Sequence, residues 1–229
     1  MESLLSSIKI SVNPKVYLKD PESSELGQNI ISNSIILIDK LGLEDFNFKK
    51  LAAVINSNES SIYRYFENKY RLLQYLSSLY WGILEYRIVF DTNAIKDPKE
   101  KLLKALKILT LKPENIPSYS SLNQLKLRDI IISEFTKSYH NKHVDSDNNE
   151  GNFKIYKRLN LRIAEMISMV EPNYSYPKSL ASQIIEGATQ QQFMRIHFPT
   201  LTEQKDDMDV YGFFKDIVIN VLNIKTETK

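Results

Sequence analysis

Between Asn58 and Lys69 the chain reads Asn-Glu-Ser-Ser-Ile-Tyr-Arg-Tyr-Phe-Glu-Asn-Lys. Ile62 and Phe66 are spaced i, i+4 and can share one buried face of a short helix. Ser60, Ser61, Tyr63, Arg64 and Lys69 then put hydroxyl, phenol and cationic groups on the other faces. A helix held by few apolar anchors, with hydrogen-bonding groups outward, suits contact with a polar surface. Phenols and ammonium groups donate to phosphate oxygens, and a guanidinium pairs bidentately with guanine O6 and N7. No nucleophile elbow, phosphate loop or zincin motif accompanies them, so the residues make no positive case for an enzyme.

The elements that must position these groups are legible nearby. Leu51, Ala52, Val54 and Ile55 give a first short helix a small apolar face, with Asn47 as its N-cap. Asn56 suits the left-handed conformation that ends such a helix, and Asn58 caps the next, with Glu59 in its first turn. Two short helices joined by a tight turn form the pattern of a helix-turn-helix. Upstream, Ile30, Ile31, Ser34, Ile35, Ile38 and Leu41 predict a helix from about Glu25 to Leu41, stopped by Gly42. Downstream, Leu72, Leu73, Leu76, Leu79, Tyr80, Ile83, Leu84 and Arg87 predict one long helix from Lys69 to between Asp91 and Pro98.

Gly42, Asn47-Phe48 and Leu51-Ala52, followed by Ser61-Ile62-Tyr63, Tyr65-Phe66, Asn68-Lys69 and Leu72-Leu73, resemble without a gap the DNA-binding domain of TetR-family transcriptional regulators. That family shows an apolar-Ala pair, then (Thr/Ser)-apolar-Tyr-x-(His/Tyr)-Phe-x-(Ser/Asn)-Lys-x-x-Leu-Leu. The resemblance covers residues 25–75, and the remainder matches by helical content and length. It implies an all-α fold, a three-helix DNA-binding domain followed by a larger helical ligand-binding and dimerisation domain. It also implies a ligand-responsive regulator, most often a repressor, acting on double-stranded operator DNA as a cytoplasmic homodimer. Under it Tyr63 and Lys69 contact phosphates, and Glu59, Ser60, Ser61 and Arg64 read bases, with Asn47, Lys49, Asn58 and Tyr65 completing the DNA-binding set. Each has a plainer alternative: Tyr63 packed on the domain, Lys69 a solvated lysine, Glu59 a stabiliser of its helix start. Glu59 and Ser57 depart from the family pattern, which puts the operator sequence in doubt more than the role.

The domain plan is then an N-terminal arm at 1–24, the DNA-binding domain at 25–70 and the ligand domain at 71–229. The arm is polar and broken by Pro14 and Pro21, and is expected to be flexible; Lys15 and Lys19 would also allow a groove-binding arm. Further helices are predicted over 99–111, 119–139 (with Leu122, Leu125, Ile130, Ile131 and Phe135 inward), 153–171, 178–197 and Met208–Asn223, about nine in all. Residues 140–152 read as a polar loop. Its His140, His143, Asp145, Asp147 and Glu150 fail the spacing of a calcium loop, and no metal or cofactor is expected.

An aromatic and methionine-rich set on these helices is either plain core or, in part, a pocket for a small apolar or aromatic effector. The candidates are Tyr80, Trp81, Leu84, Phe135, Tyr139, Tyr156, Met166, Gln190 and Phe193. The last two helices carry apolar residues over wide faces, as a subunit interface would, or as helices buried within their own chain would.

Composition sets outer bounds. The chain has 229 residues, no cysteine and a net charge of +2. Thiol chemistry and cysteine-ligated zinc are excluded, and the charge permits nucleic acid without announcing it. No apolar run approaches the ~18–20 residues that span a bilayer, and the start of the chain lacks the basic and apolar regions of a signal peptide. The competing expectation is a helical binding or enzymatic protein that has lost specific DNA recognition.

Overall fold

The computed structural model describes residues 9–113 and 122–224. Among these residues the protein is all-α, with ten helices and no strand: α1 (Glu25–Asp45), α2 (Phe48–Val54), α3 (Glu59–Tyr63), α4 (Lys69–Thr92), α5 (Pro98–Thr110), α6 (Gln124–Glu134), α7 (Val144–Asn149), α8 (Lys154–Val170), α9 (Pro177–His197) and α10 (Asp207–Val221). The chain forms two compact units, Met1–Ile83 with Pro113–Tyr156, and Leu84–Lys112 with Lys157–Lys229. The division between them falls inside α4.

In the first unit the local signals fold as their chemistry dictates. Asn47 Oδ1 accepts from Lys50 N–H at 2.9 Å and Asn58 Oδ1 from Ser61 N–H at 2.8 Å, so both motif helices are capped. Asn56 takes a left-handed φ of 50°, and Gly42 breaks α1 with a φ of 74° before one further turn to Asp45. Ile30, Ile35, Ile38, Leu51, Ile62, Phe66, Leu72, Leu73 and Leu76 make a core with essentially no exposure. α1 packs against α2 and α6.

Three expectations are corrected here. The described part of the 1–24 arm is not a loose tail. Pro14 and Pro21 start short 3-10 turns capped by Asn13 and Asp20, which leaves Ile10, Val12 and Val16 free to bury. Ile10 fills the space beside Gly82, and Asn13 donates to Glu150 O at 2.8 Å and Asn152 Oδ1 at 3.1 Å. The 119–139 helix is shorter. Its expected start, through residue 121, lies outside the described residues; α6 ends at Glu134, and a 3-10 turn covers Phe135–Ser138. Leu125, expected inward, is exposed. The 140–152 loop holds α7, because Arg71 Nη1 binds Asp147 Oδ1 at 2.7 Å and Gln74 Nε2 binds Oδ2 at 2.8 Å, fixing that buried carboxylate.

The packing of the N-terminal segment can be tested. A Cβ on Gly27 would lie 2.1 Å from the backbone carbonyl oxygen of Pro21. Gly27→Ala must push main chain away, and is expected to cost about 2–3 kcal/mol in a urea titration. A loss below ~0.5 kcal/mol would mean that the segment does not hold this position.

The second unit contains the end of α4 with α5, most of α8, α9 and α10. Val210, Phe214 and Val218 bury one face of α10, which packs against α5 and α9. The Phe214 ring lies where a side chain on Gly187 would be, its Cζ 2.8 Å from an added Cβ. Glu85, 5% exposed, is held by Arg158 at 2.5–2.8 Å and by Arg162 Nη2 at 3.2 Å.

Candidate nucleic-acid interface

α3 is five residues long, so its orientation rests on anchors rather than on helix propensity. Ile62 and, just beyond the helix, Phe66 are fully buried. Tyr65 N–H and Phe66 N–H both donate to Ile62 O, so the chain turns tightly out of the helix. This leaves Ser60, Tyr63 and Arg64 exposed and Glu59 half-buried. The Tyr63 ring rests edge-on against Phe48 with centroids 5.0 Å apart while the residue stays 47% exposed. Asn47, Lys49 and Asn58 are exposed on the same motif. Asn58 Oδ1 accepts from Ser60 Oγ, Ser61 N–H and Ser61 Oγ at 2.7–2.8 Å, which fixes the start of α3. The face so presented combines a phenol, a guanidinium and a hydroxyl, a set able to donate to phosphates and to base edges.

Three residues of the expected DNA-binding set are spent internally. Ser61 is 7% exposed and shares its hydroxyl between Asn58 and Arg64. Tyr65 is 2% exposed, with its hydroxyl 2.7 Å from Ser24 Oγ. That hydrogen bond lowers the Tyr65 phenol below its ordinary pKa; burial opposes the shift, and the Lys19 and Arg64 cations add to it. Lys69 Nζ donates to Leu43 O at 2.8 Å, Glu44 O at 3.0 Å and Phe46 O at 3.5 Å. Of the three donors of an ammonium, the Leu43 and Glu44 carbonyls in the last turn of α1 take two, and Phe46 O is a long third partner. Lys69 therefore positions the motif by capping α1. Lys69→Met is expected to cost about 1–2 kcal/mol in thermal unfolding. The slope of log affinity for duplex DNA against log salt should stay unchanged; a fall of about one unit would restore the phosphate contact.

The same corner is held from α6. Glu134 Oε1 accepts from Leu43 N–H at 3.0 Å, one residue past the Gly42 break. Lys137 bridges Glu134 and Glu44 at 2.8 and 3.0 Å, and Lys126 pairs with Asp39.

The expected effector residues divide. Tyr80, Trp81, Phe135, Tyr139 and Tyr156 form one cluster in the first unit, ring centroids 4.9–5.3 Å apart. Trp81 Nε1 is buried there with no hydrogen-bond partner among the described residues. In the second unit Leu84 and Met166 are buried, Gln190 is exposed, and Phe193 packs on His197 and Phe198. The first unit also carries a cleft of about 830 Å³, lined among others by Asn68, Arg71, Gln74, Lys137, His140 and Lys142. The sequence reading missed it; the available signal was the polar stripe of α4 formed by Arg71, Gln74, Ser77 and Ser78 at i, i+3 and i+4 spacing.

No family model and no curated protein matches this chain. Solved structures do. AibR in complex with isovaleryl coenzyme A and operator DNA aligns with a TM-score of 0.56 and 15% identity, over 83% of this chain and 97% of that one. The fatty acid degradation regulator FadR from Bacillus halodurans aligns with a TM-score of 0.57 and 16% identity, over 86% and 94%. Apo AibR gives 0.52 and 15%, over 83% and 96%. Likeness at this identity establishes a shared helical fold along most of the chain.

Proposed function

We propose that this protein is a ligand-responsive transcriptional regulator of the TetR type, a homodimeric, cytoplasmic repressor that binds operator DNA through α2 and α3, with no catalytic activity. The observation that carries the reading is the outward face of α3, where Ser60, Tyr63 and Arg64 stand free of the core while Ile62 and Phe66 anchor the helix. A fold shared with AibR, solved in complex with isovaleryl coenzyme A and operator DNA, supports it. The contact set is Asn47, Lys49, Asn58, Glu59, Ser60, Tyr63 and Arg64. A gel-shift series with the adjacent intergenic DNA tests it. Tight, sequence-selective retention with a steep salt slope is expected; weak retention of all DNA alike would leave the competing, non-regulatory reading.

A dimer supplies two such motifs, able to read DNA half-sites about 34–36 Å apart. Apolar residues left exposed on and between α9 and α10 support this: Ile196, Phe198, Leu201, Met208, Phe213 and Val221. Phe213, Ile217 and Val221 recur at every fourth residue of α10, and a Cβ on Gly212 beside them would meet no atom of the described residues within 4 Å. Phe213→Glu is expected to shift the protein from dimer to monomer in sedimentation equilibrium at micromolar concentration.

The effector enters the reading through the aromatic cluster, where Trp81 Nε1 would donate to an acceptor on a small apolar or aromatic ligand. Tyr80 and Trp81 lie on α4, whose first residue is the α1 cap Lys69, so a displaced ring moves the helix that holds the motif. Couplings of this type are commonly ~1–3 kcal/mol. Trp81 is the chain's single tryptophan, so its emission is a direct readout of effector screens.

A further inference from the structure

We propose that the N-terminal segment forms part of the DNA-contacting surface, with Lys19 placed to close on a backbone phosphate beside the recognition helix. This rests on the regulator reading above and adds to it a contact outside the helix-turn-helix. The segment is docked onto the exit of α3: Leu18 N–H donates to Tyr65 O at 2.8 Å, and Tyr65 lies two residues past the end of that helix. Lys19 Nζ stands 5.0 Å from the centroid of the Tyr65 ring, and Tyr17 packs edge-on against Tyr75. Ser24, at the end of the segment, bonds the Tyr65 hydroxyl. Asn13 and Ile10 fix the other end, against Asn152, Glu150 O and Gly82.

The Lys19 ammonium sits at the Tyr65 phenol, which it hydrogen-bonds, and carries its charge there without a carboxylate partner among the described residues. The acids flanking Lys19, Asp20 and Glu22, are both taken by Lys9 at 3.1 and 3.2 Å. No carboxylate pairs with Lys19 among the described residues, and Lys19 is exposed, as are Lys15 and Leu18. Lys19 and Arg64 thus flank Tyr65 as two cations, one from the segment and one from the motif. Because the segment is already ordered, a phosphate contact made by Lys19 carries little of the ordering cost that a loose arm would bring.

The test compares wild type with Lys19→Gln, both full length, on one duplex recovered from genomic fragments by the wild-type protein. Affinity is measured from low to high salt, with hydroxyl-radical footprints and melting curves alongside. Losing one phosphate contact should reduce the salt slope by about 0.9. Affinity should weaken to a similar degree for preferred and scrambled duplexes, and the footprint should shorten at its edge, with melting unchanged. An identical slope and footprint in the variant overturns the segment contact while leaving the regulator reading intact. Failure of the wild type to retain any duplex overturns both.

Discussion

Replacing Arg158 and Arg162 together by methionine is expected to destabilise the protein by about 3 kcal/mol, near the lower end of what is seen when a buried carboxylate loses its partners. The cost lies with Glu85, whose side chain is only 6% exposed, rather than with the arginines, which are 51% and 35% exposed and can turn to water. For a chain of this length that corresponds to a fall of roughly 6–12 °C in melting temperature. Either single replacement leaves one guanidinium on the carboxylate and should cost far less. Adding Glu85→Leu to the double variant should recover most of the loss, because a packed apolar group replaces an uncompensated charge. A double variant that melts with the wild type would show that water already reaches Glu85.

Arg64→Ala carries the second large effect, on recognition rather than stability. The guanidinium is exposed, and its hydrogen bond from Nη2 to Ser61 Oγ, at 3.2 Å, is easily exchanged for a base edge. A bidentate pair with guanine is worth about 1–3 kcal/mol of discrimination, so the ratio between preferred and base-substituted duplexes should fall roughly 5- to 150-fold. Competition binding with single-base variants measures it. Stability should hardly move, the reverse of Lys69→Met. If Arg64→Ala weakens every duplex equally, the side chain contacts phosphate and the base reading passes to Ser60 and Glu59.

Much of this was legible before any coordinates. Asn47, Asn58, Asn56 and Gly42 each act through backbone groups within a few residues, so their caps and breaks follow from composition at fixed spacing. The helices over 99–111, 153–171 and 178–197 appear within a residue or two of the expected bounds, because their apolar periodicity is long and regular. The outward face of α3 also follows, since burying Ile62 and Phe66 leaves Tyr63 and Arg64 no other place. The short segments read less well. Pro14 and Pro21 look like breakers in sequence, yet each starts a 3-10 turn whose apolar neighbours bury, and the stretch 140–152 looks solvated until Arg71 reaches Asp147 from 76 residues away.

The sequence by itself determined the helical architecture and the capped two-helix motif, because each depends on hydrogen bonds and periodicities spanning one or two turns; of the groups it set on the outer faces of that motif, Ser61 is buried. Only the tertiary structure decided which of those groups remain available. Tyr65 finds Ser24 41 residues upstream, and Lys69 finds Leu43 O 26 residues upstream. A donor's freedom depends on what the folded chain brings within 3 Å of it, and no local pattern encodes that distance.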